Sequence, residues 1–285
     1  MIFGNISAVL SVNRMDSCIS DTSVRRIMDA SSELGKALTE VIREMVEGKD
    51  IAVAFSGGLD CGIVAAIAKD YAKSIHLYTA GVQDAYDVNE SSGLSKILGI
   101  DWSHILISEE DLEDNIKEMI KITSTVNPIT LSFEIPLFYV SKNVPEEIII
   151  GGQGADELFA GYSKYIGLSE EEFRDQRDAD MASLLTRTLK HESLVGKHFG
   201  KTVLYPYLDS RVTDVVNRMD MKDLMPGDVR KRCLREVAEE IGQPEVAAKK
   251  KKAAQYGSGA MNLFRKIAKK KGVTVNQMIT GWSDE

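Results

Sequence analysis

Residues 51–72 read IAVAFSGGLDCGIVAAIAKDYA. Ile51 to Phe55 form an apolar run with no polar break, bounded by Asp50 and by Ser-Gly-Gly. A run this short, closed by turn residues, reads as a strand covered on both faces; a half-exposed strand would alternate. Helical spacing follows in GIVAAIAKDYA. The pattern repeats downstream: IHLYT (75–79) is a second strand followed by a helix over 88–99. HILI (104–107) is a third strand followed by a helix over 111–123. A helix near 131–141 leads into EIIIG at 147–151. Alternating strands and helices with short apolar strands predict an α/β fold, a parallel sheet with helices on both faces. Upstream, Leu34, Leu38, Val41, Ile42 and Met45 are spaced as one face of a helix, with Gly48 as its stop. Beyond Tyr162 no strand is expected. Helices are expected over 168–191, 210–219, 228–241 and 259–271, with LYPYLD (204–209) interrupting them. The expected organisation is an arm over 1–30, an α/β domain over 31–165 and an all-helical C-terminal extension over 166–285.

Bulk composition narrows the class. The 285 residues, 44% hydrophobic, suffice for one large α/β domain or two smaller ones. A formal net charge of −8 disfavours general nucleic-acid binding. The lysine runs at 249–252 and 269–271 read first as solvated helix faces. Cys18, Cys61 and Cys233 are far apart and make no CxxC or Cys/His cluster, so a disulfide framework and a zinc site are not expected and a reducing cytoplasm is. No apolar stretch has the length of a membrane span, and the first residues lack the basic region of a secretory signal.

The glycines after the first strand carry the chemistry. They let the backbone turn sharply and lie against a ligand, and the helix that follows offers unpaired N–H groups to an anion. Ser56 adds a hydroxyl donor. AFSGGLDCG is thus a phosphate cradle, although not a Walker loop, because no Gly-Lys-Ser/Thr follows. Asp60 would repel a phosphate unless a cation stood between them, and Mg²⁺, a hard ion that takes oxygen ligands, resolves the conflict. An ordinary strand–turn–helix with an acid at the helix start is the bland alternative. The same geometry recurs in IIIGGQGADELFAGY (148–162), where Asp156 and Glu157 follow Gly151, Gly152 and Gly154. Ligands of open parallel sheets sit beyond the carboxyl ends of the strands, so both acids are placed to serve one metal–phosphate centre.

These stretches resemble a known family. SGGLDC is similar to the pyrophosphate loop, SGGxDS, of the PP-loop ATP pyrophosphatases, whose fold is adenine nucleotide α-hydrolase-like. GGQGADELFAGY resembles the GxGxDExFGGY element of asparagine synthetases and β-lactam synthetases. YPYLD (205–209) resembles their VPFLD, and KKKKAAQYGSG (249–259) their RPKxxxQxGSG-like segment. The four occur in family order and span most of the chain.

The resemblance implies a ligase that forms AMP and pyrophosphate. It adenylates a carboxylate, aspartate being the named candidate, and transfers it to ammonia or an amine. ATP and Mg²⁺ are its implied cofactors. Ser56, Gly57, Gly58, Asp60 and Cys61 would hold the pyrophosphate part of ATP, and Asp60 and Asp156 the metal. Backbone at Ala54, Ala80 and Gly152 would meet the adenosine. Lys251 would contact the α-phosphate and the transition state, where a mobile ammonium follows developing charge.

Three departures from the family pattern stand out, the last two bearing on the second half-reaction. Cys61 replaces the usual Ser. Gln153 stands where asparagine synthetases carry Glu; an amide orients a substrate but accepts no proton at neutral pH. GKTVL (200–204) lacks the Glu and Arg of the family's GVExR. With Ile at position 2 and about fifty residues before the first strand, no glutaminase domain is expected, so nitrogen would come from free ammonia or a separate glutaminase subunit. A homo-oligomer is compatible with the sequence. Ser132 and Glu134 are weaker candidates for the acceptor pocket; the plainer reading of 127–139 is an amphipathic helix with Leu131, Ile135 and Phe138 inward. The four histidines are scattered and read as core or surface residues. Two other functions fit less well. One is a tRNA-modifying adenylase with the lysine runs as an RNA stripe, against which stand the acidic charge and the missing CxxC. The other is a non-catalytic ATP-binding subunit or regulator.

Overall fold

The strand β1 (Asp50–Ala54) lies at the centre of a five-stranded parallel sheet. The structure is a computed structural model and describes residues 21–227, 229–249 and 257–284. Its other strands are β2 (Ser74–Gly81), β3 (Trp102–Leu106), β4 (Ile148–Ile150) and β5 (Thr202–Leu204). The order is β3-β2-β1-β4-β5. The chain therefore winds outward from β1 through β2 to β3, then returns to lay β4 on the other side of β1, with Ile51 opposite Ile148. Strand order reverses between β1 and β4, and that reversal opens a crevice at their carboxyl ends.

The apolar runs behave as strands buried on both faces. Ile51 and Val53 belong to a core that includes α1 (Asp21–Val46), α2 (Leu59–Lys69) and the later helices α9 (Ser210–Val216) and α11 (Arg232–Glu240). Ala52 and Ile149 face the opposite core, built from α4 (Leu112–Thr123), α5 (Pro128–Asn143) and the two last helices, Ala260–Lys271 and Val275–Asp284. Leu34, Leu38, Val41 and Ile42 of α1 are fully buried, as their spacing predicts. That helix starts at Asp21, earlier than expected; the remainder of the expected arm, residues 1–20, lies outside the described residues.

One expectation is overturned. The strands do not stop at Tyr162: Thr202–Leu204 pairs with β4, Ile149 opposite Val203. Three residues are too short a run to signal a strand, but the open edge of β4 supplies the hydrogen-bonding partner. The expected helix over 168–191 is also longer. It comprises α7 (Glu170–Ser183), a π-helical turn over Leu184–Thr188 and α8 (Leu189–His198). Further helices are α3 (Tyr86–Leu98), between β2 and β3, α6 (Ala155–Leu158), after β4, α10 (Met221–Leu224), between α9 and α11, and α12 (Pro244–Ala247), after α11.

Candidate active site

The turn after β1 is built as a cradle. Gly57 has φ +69°, and a Cβ there would meet the backbone N of Ser91 at 2.5 Å, so only glycine brings the loop this close to α3. The first turn of α2 receives no side-chain cap, which leaves its N–H groups facing the cleft. Cys61 is buried and takes the Ser56 N–H at 3.3 Å, with the Ser56 hydroxyl also 3.3 Å from its sulfur. Burial pushes its thiol pKa up, so the sulfur ties the loop together as a neutral group.

The turn after β4 lies directly against this loop. A Cβ on Gly152 would stand 2.9 Å from Asp60 Cβ and 3.1 Å from the Cys61 nitrogen. Here glycine permits the two turns to touch. The acids that follow then diverge. Glu157 turns inward, 6% exposed, and accepts 2.7 Å from the Tyr162 hydroxyl. Asp156 turns to the cleft.

Asp60 and Asp156 meet on one cation. Lys231 Nζ lies 2.6 Å from Asp60 Oδ2 and 2.6 Å from Asp156 Oδ1, and the lysine is 2% exposed. Burial works against the ammonium, but Asp156 and Asp60 outweigh it and hold its pKa above the ordinary value. Asp60 Oδ1 remains buried without a hydrogen bond. Two hard carboxylates converging on a cationic position, one with a spare oxygen, fit Mg²⁺ held jointly with substrate phosphates; a cage of three or more protein ligands is absent among the described residues. Sequence reading missed Lys231. Its signal was local: Arg230, Lys231 and Arg232 stand at the start of α11, where the helix dipole disfavours positive charge, so these residues need partners elsewhere.

The YPYLD stretch clamps both turns. The Tyr207 hydroxyl donates to the Asp60 carbonyl at 2.9 Å, Leu208 packs against Gly154, and Asp209 caps α9. The chain beyond β5 thus locks the two turns in place.

Two connected spaces open over this centre. Ser56, Gly57, Gly58, Asp60, Arg230, Lys231, Arg235 and Lys249 line the first. Asp87 and Glu90 border it too, so it is a charged hollow of both signs above the α2 N-terminus. The second lies over the sheet, and Ala54, Ala80, Gly152, Gln153 and Asp156 line it with Tyr78, Phe133, Leu137, Glu192 and Tyr205. The structure thus gathers Ala54, Ser56, Gly57, Gly58, Asp60, Cys61, Ala80, Gly152, Gln153 and Asp156 around one cleft. Lys251 lies outside the described residues, as do 250–256. The residues flanking that segment both border the cleft: Lys249 pairs with Glu90 at 2.8 Å, and Gly257 abuts the Asp87 carboxylate.

Glu192 of α8 was not foreseen. The Gln153 amide donates to its Oε1 at 2.6 Å, and the neighbouring Tyr205 hydroxyl is its other hydrogen-bonding partner. Burial raises its pKa to about 7; Gln153 and Tyr205 pull it back, and Glu157 adds to the rise. Its signal was an acid on the face that α8 buries, three and four residues before Val195 and Gly196. Ser132 and Glu134 do not line the cleft. The Ser132 hydroxyl bonds the Ile129 carbonyl, and Glu134 sits 2.9 Å from His191 Nδ1, its pKa raised to about 8 by burial and by Glu192. Leu131, Ile135 and Phe138 are inward, as the plainer reading of that helix has it.

The comparisons with known proteins give the family. The family model for asparagine synthase matches residues 33–203 and 167–274. The chain belongs to the asparagine synthase family. A putative glutamine-hydrolysing asparagine synthetase 1 of Methanocaldococcus jannaschii is 27% identical over 288 residues, covering 87% of this chain and 53% of that protein. Asparagine synthetase B, glutamine-hydrolysing, of Escherichia coli is 23% identical, over 80% of this chain and 45% of that protein. The chain spans about half the length of these curated relatives. The solved structure of NMN synthetase from Francisella tularensis aligns with a TM-score of 0.44 at 13% identity, covering 90% of this chain and 93% of that one, too loosely to add to the family match. Among the described residues no helix is long and apolar enough to cross a membrane.

Proposed function

We propose that the chain is the synthetase part of an ATP-dependent, amide-forming ligase. A substrate carboxylate attacks the α-phosphorus of ATP, pyrophosphate leaves, and ammonia or an amine takes the acyl group from AMP. The observation that carries this reading is the convergence of Asp60 and Asp156, from turns after neighbouring strands, on one buried cationic position beside an uncapped helix start.

The residues divide the work. The 56–58 loop and the N–H groups of α2 receive the pyrophosphate, and Arg230, Arg235 and Lys249 supply positive charge around it. Asp60 and Asp156 would hold Mg²⁺, which when bound offsets phosphate charge. Lys231 is then free to meet phosphate oxygens as well as the two acids. Ala54, Ala80 and Gly152 offer backbone to the adenosine. Lys251, in the segment that the cleft residues Lys249 and Gly257 bracket, stabilises the α-phosphate charge in both half-reactions. Gln153 acts through its amide, as the orienting partner of Glu192. Aspartate is the first carboxylate to try, and free ammonia or a glutaminase the first nitrogen sources.

Incubation with Mg²⁺-ATP, ammonium and a panel of carboxylates headed by aspartate tests the reading. AMP and pyrophosphate are expected, dependent on one carboxylate. ADP and phosphate would reject the class, and nucleotide binding with no pyrophosphate release would favour a regulatory subunit. The tRNA-modifying reading finds less support, because Lys270 and Lys271 pair with Glu109 and Glu113, which offset their charge.

A further inference from the structure

The cations that line the phosphate hollow are held in two ways. Backbone carbonyls hold the arginines: Arg230 donates to the Gly161 oxygen at 3.0 Å, and Arg235 to the Arg230 and Ala247 oxygens. A neutral carbonyl leaves a guanidinium its charge and its spare donors. Carboxylates hold the lysines. Lys231 lies between Asp60 and Asp156, and Lys249 pairs with Glu90 at 2.8 Å. Lys249 can serve an entering phosphate only at the expense of that pair.

Glu90 is carried on a main chain fixed against the phosphate loop. A Cβ on Gly57 would stand 2.6 Å from the Glu90 carbonyl carbon and 2.5 Å from the Ser91 nitrogen. The Ser91 hydroxyl donates to the Phe55 carbonyl at 3.1 Å, which ties α3 to the exit of β1. Glu90 lines the same hollow as Ser56, Gly57 and Gly58, and Asp87, one turn earlier, lines it too. Only side-chain rotation can take the Glu90 carboxylate away from a phosphate bound there. The acids of the hollow also differ in what they lose. Asp60 and Asp156 would keep a metal as partner when Lys231 turns to phosphate. Among the described residues Lys249 is the cation paired with Glu90.

We propose that Glu90 competes with pyrophosphate for Lys249 and so weakens the hold on this product, favouring its release after adenylation. This rests on the adenylation reading above. When the substrate carboxylate oxygen bonds to the α-phosphorus, the bond from that phosphorus to the bridging oxygen breaks. Its electron pair leaves with pyrophosphate, which thereby carries one negative charge more than the same two phosphates carried within ATP. The added charge appears in the same hollow as a carboxylate that has lost its own cation. Coulomb repulsion scales with the product of the charges, so it acts more strongly on the product than on ATP. The arginines and the loop N–H groups hold both ligands, and Glu90 tells them apart.

Direct binding tests this without turnover. Calorimetry follows pyrophosphate and, separately, ATP without any carboxylate, each with Mg²⁺, on the wild type and on Glu90→Gln. The variant keeps the length of the side chain and an oxygen for Lys249 but loses the charge. The Lys249 and Glu90 side chains are 19% and 34% exposed, and a partly exposed ion pair is worth only a few-fold in an equilibrium. With the repulsion added, Glu90→Gln is expected to tighten pyrophosphate by about three- to tenfold. It should tighten ATP by less than about threefold. Pyrophosphate binding should also fall more steeply with salt in the variant, because Lys249 is no longer neutralised. Lys249→Met should weaken pyrophosphate by about three- to tenfold. Circular dichroism checks that each variant is folded. Unchanged or weaker pyrophosphate binding in Glu90→Gln overturns the proposal, since the carboxylate would then only hold Lys249 in place for the ligand. An equal gain for ATP and pyrophosphate also overturns it. A wild type that binds neither ligand overturns the adenylation reading, and this inference falls with it.

Discussion

The two ends of the cleft are made differently. At the phosphate end, backbone does most of the holding: glycine turns and an uncapped helix start, backed by Lys231, Arg230, Arg235 and Lys249. At the acyl end, side chains from distant elements meet: Gln153 from the turn after β4, Glu192 from α8 and Tyr205 from beyond β5. The first end mixes Arg230, Arg235 and Lys249 with Asp87 and Glu90, and the proposed ligand there is one common to many enzymes. The second is acidic and partly apolar. One end is a fixed holder of a shared reagent, and the other is where this chain departs from its family. Substitutions should therefore damage the first end through charge and strain, and the second through one reaction step.

The largest effect on folding is expected at Lys231. Removing the cation from a buried pair leaves two uncompensated carboxylates, so Lys231→Met should destabilise the protein by about 3–5 kcal/mol. Because the acids are then free for a metal, millimolar Mg²⁺ should raise the variant's melting temperature far more than the wild type's. Equal response in both proteins would break the idea that ammonium and metal share a position.

At the acyl end the sign reverses. Glu192 has a folded pKa of about 7, raised above the ordinary 4.5. The stability it contributes is complete below pH 4.5 and is lost as pH rises through 7. Glu192→Gln should therefore match the wild type near pH 4 and exceed it at pH 8 by up to about 3 kcal/mol. Denaturant unfolding at the two pH values checks this. A gain of stability at pH 8 sharpens the contrast with Lys231.

Smaller effects test the contact between the turns. Gly152→Ala forces a methyl group against Asp60 and should cost about 1–3 kcal/mol while weakening ATP binding, measurable by calorimetry. Cys61→Ser keeps a hydrogen-bonding atom beneath the loop and should shift stability by less than about 1 kcal/mol with adenylation largely kept. A large loss there would mean the thiol's size, and not its bonding to Ser56, sets the loop.

The same contrast explains what the sequence disclosed. The strands β1 to β4, the glycine turns and the pairing of Asp60 with Asp156 were legible because each is a local pattern placed by simple topology. Strand β5 was not, since three residues give no period and its partner strand decides it. Lys231 and Glu192 escaped because their partners lie in other elements: Lys231 comes to Asp60 across 171 residues, and Glu192 to Gln153 across 39. Each still left a trace, a cation where a helix dipole disfavours it and an acid on a buried helix face. Ser132 and Glu134 show the reverse case: Ser132 bonds the backbone of its own helix, and Glu134 lies behind the cleft lining, paired with His191.

The account's central claim is that Asp60 and Asp156 together serve adenylation. The direct measurement is carboxylate-dependent pyrophosphate–ATP exchange in the wild type and in Asp156→Asn, with folding checked by circular dichroism. The account predicts exchange in the wild type and a loss of at least about a hundredfold in a folded variant, the usual cost of one removed electrostatic contact. Exchange that survives the substitution, or wild-type protein that releases phosphate in place of pyrophosphate, would contradict it.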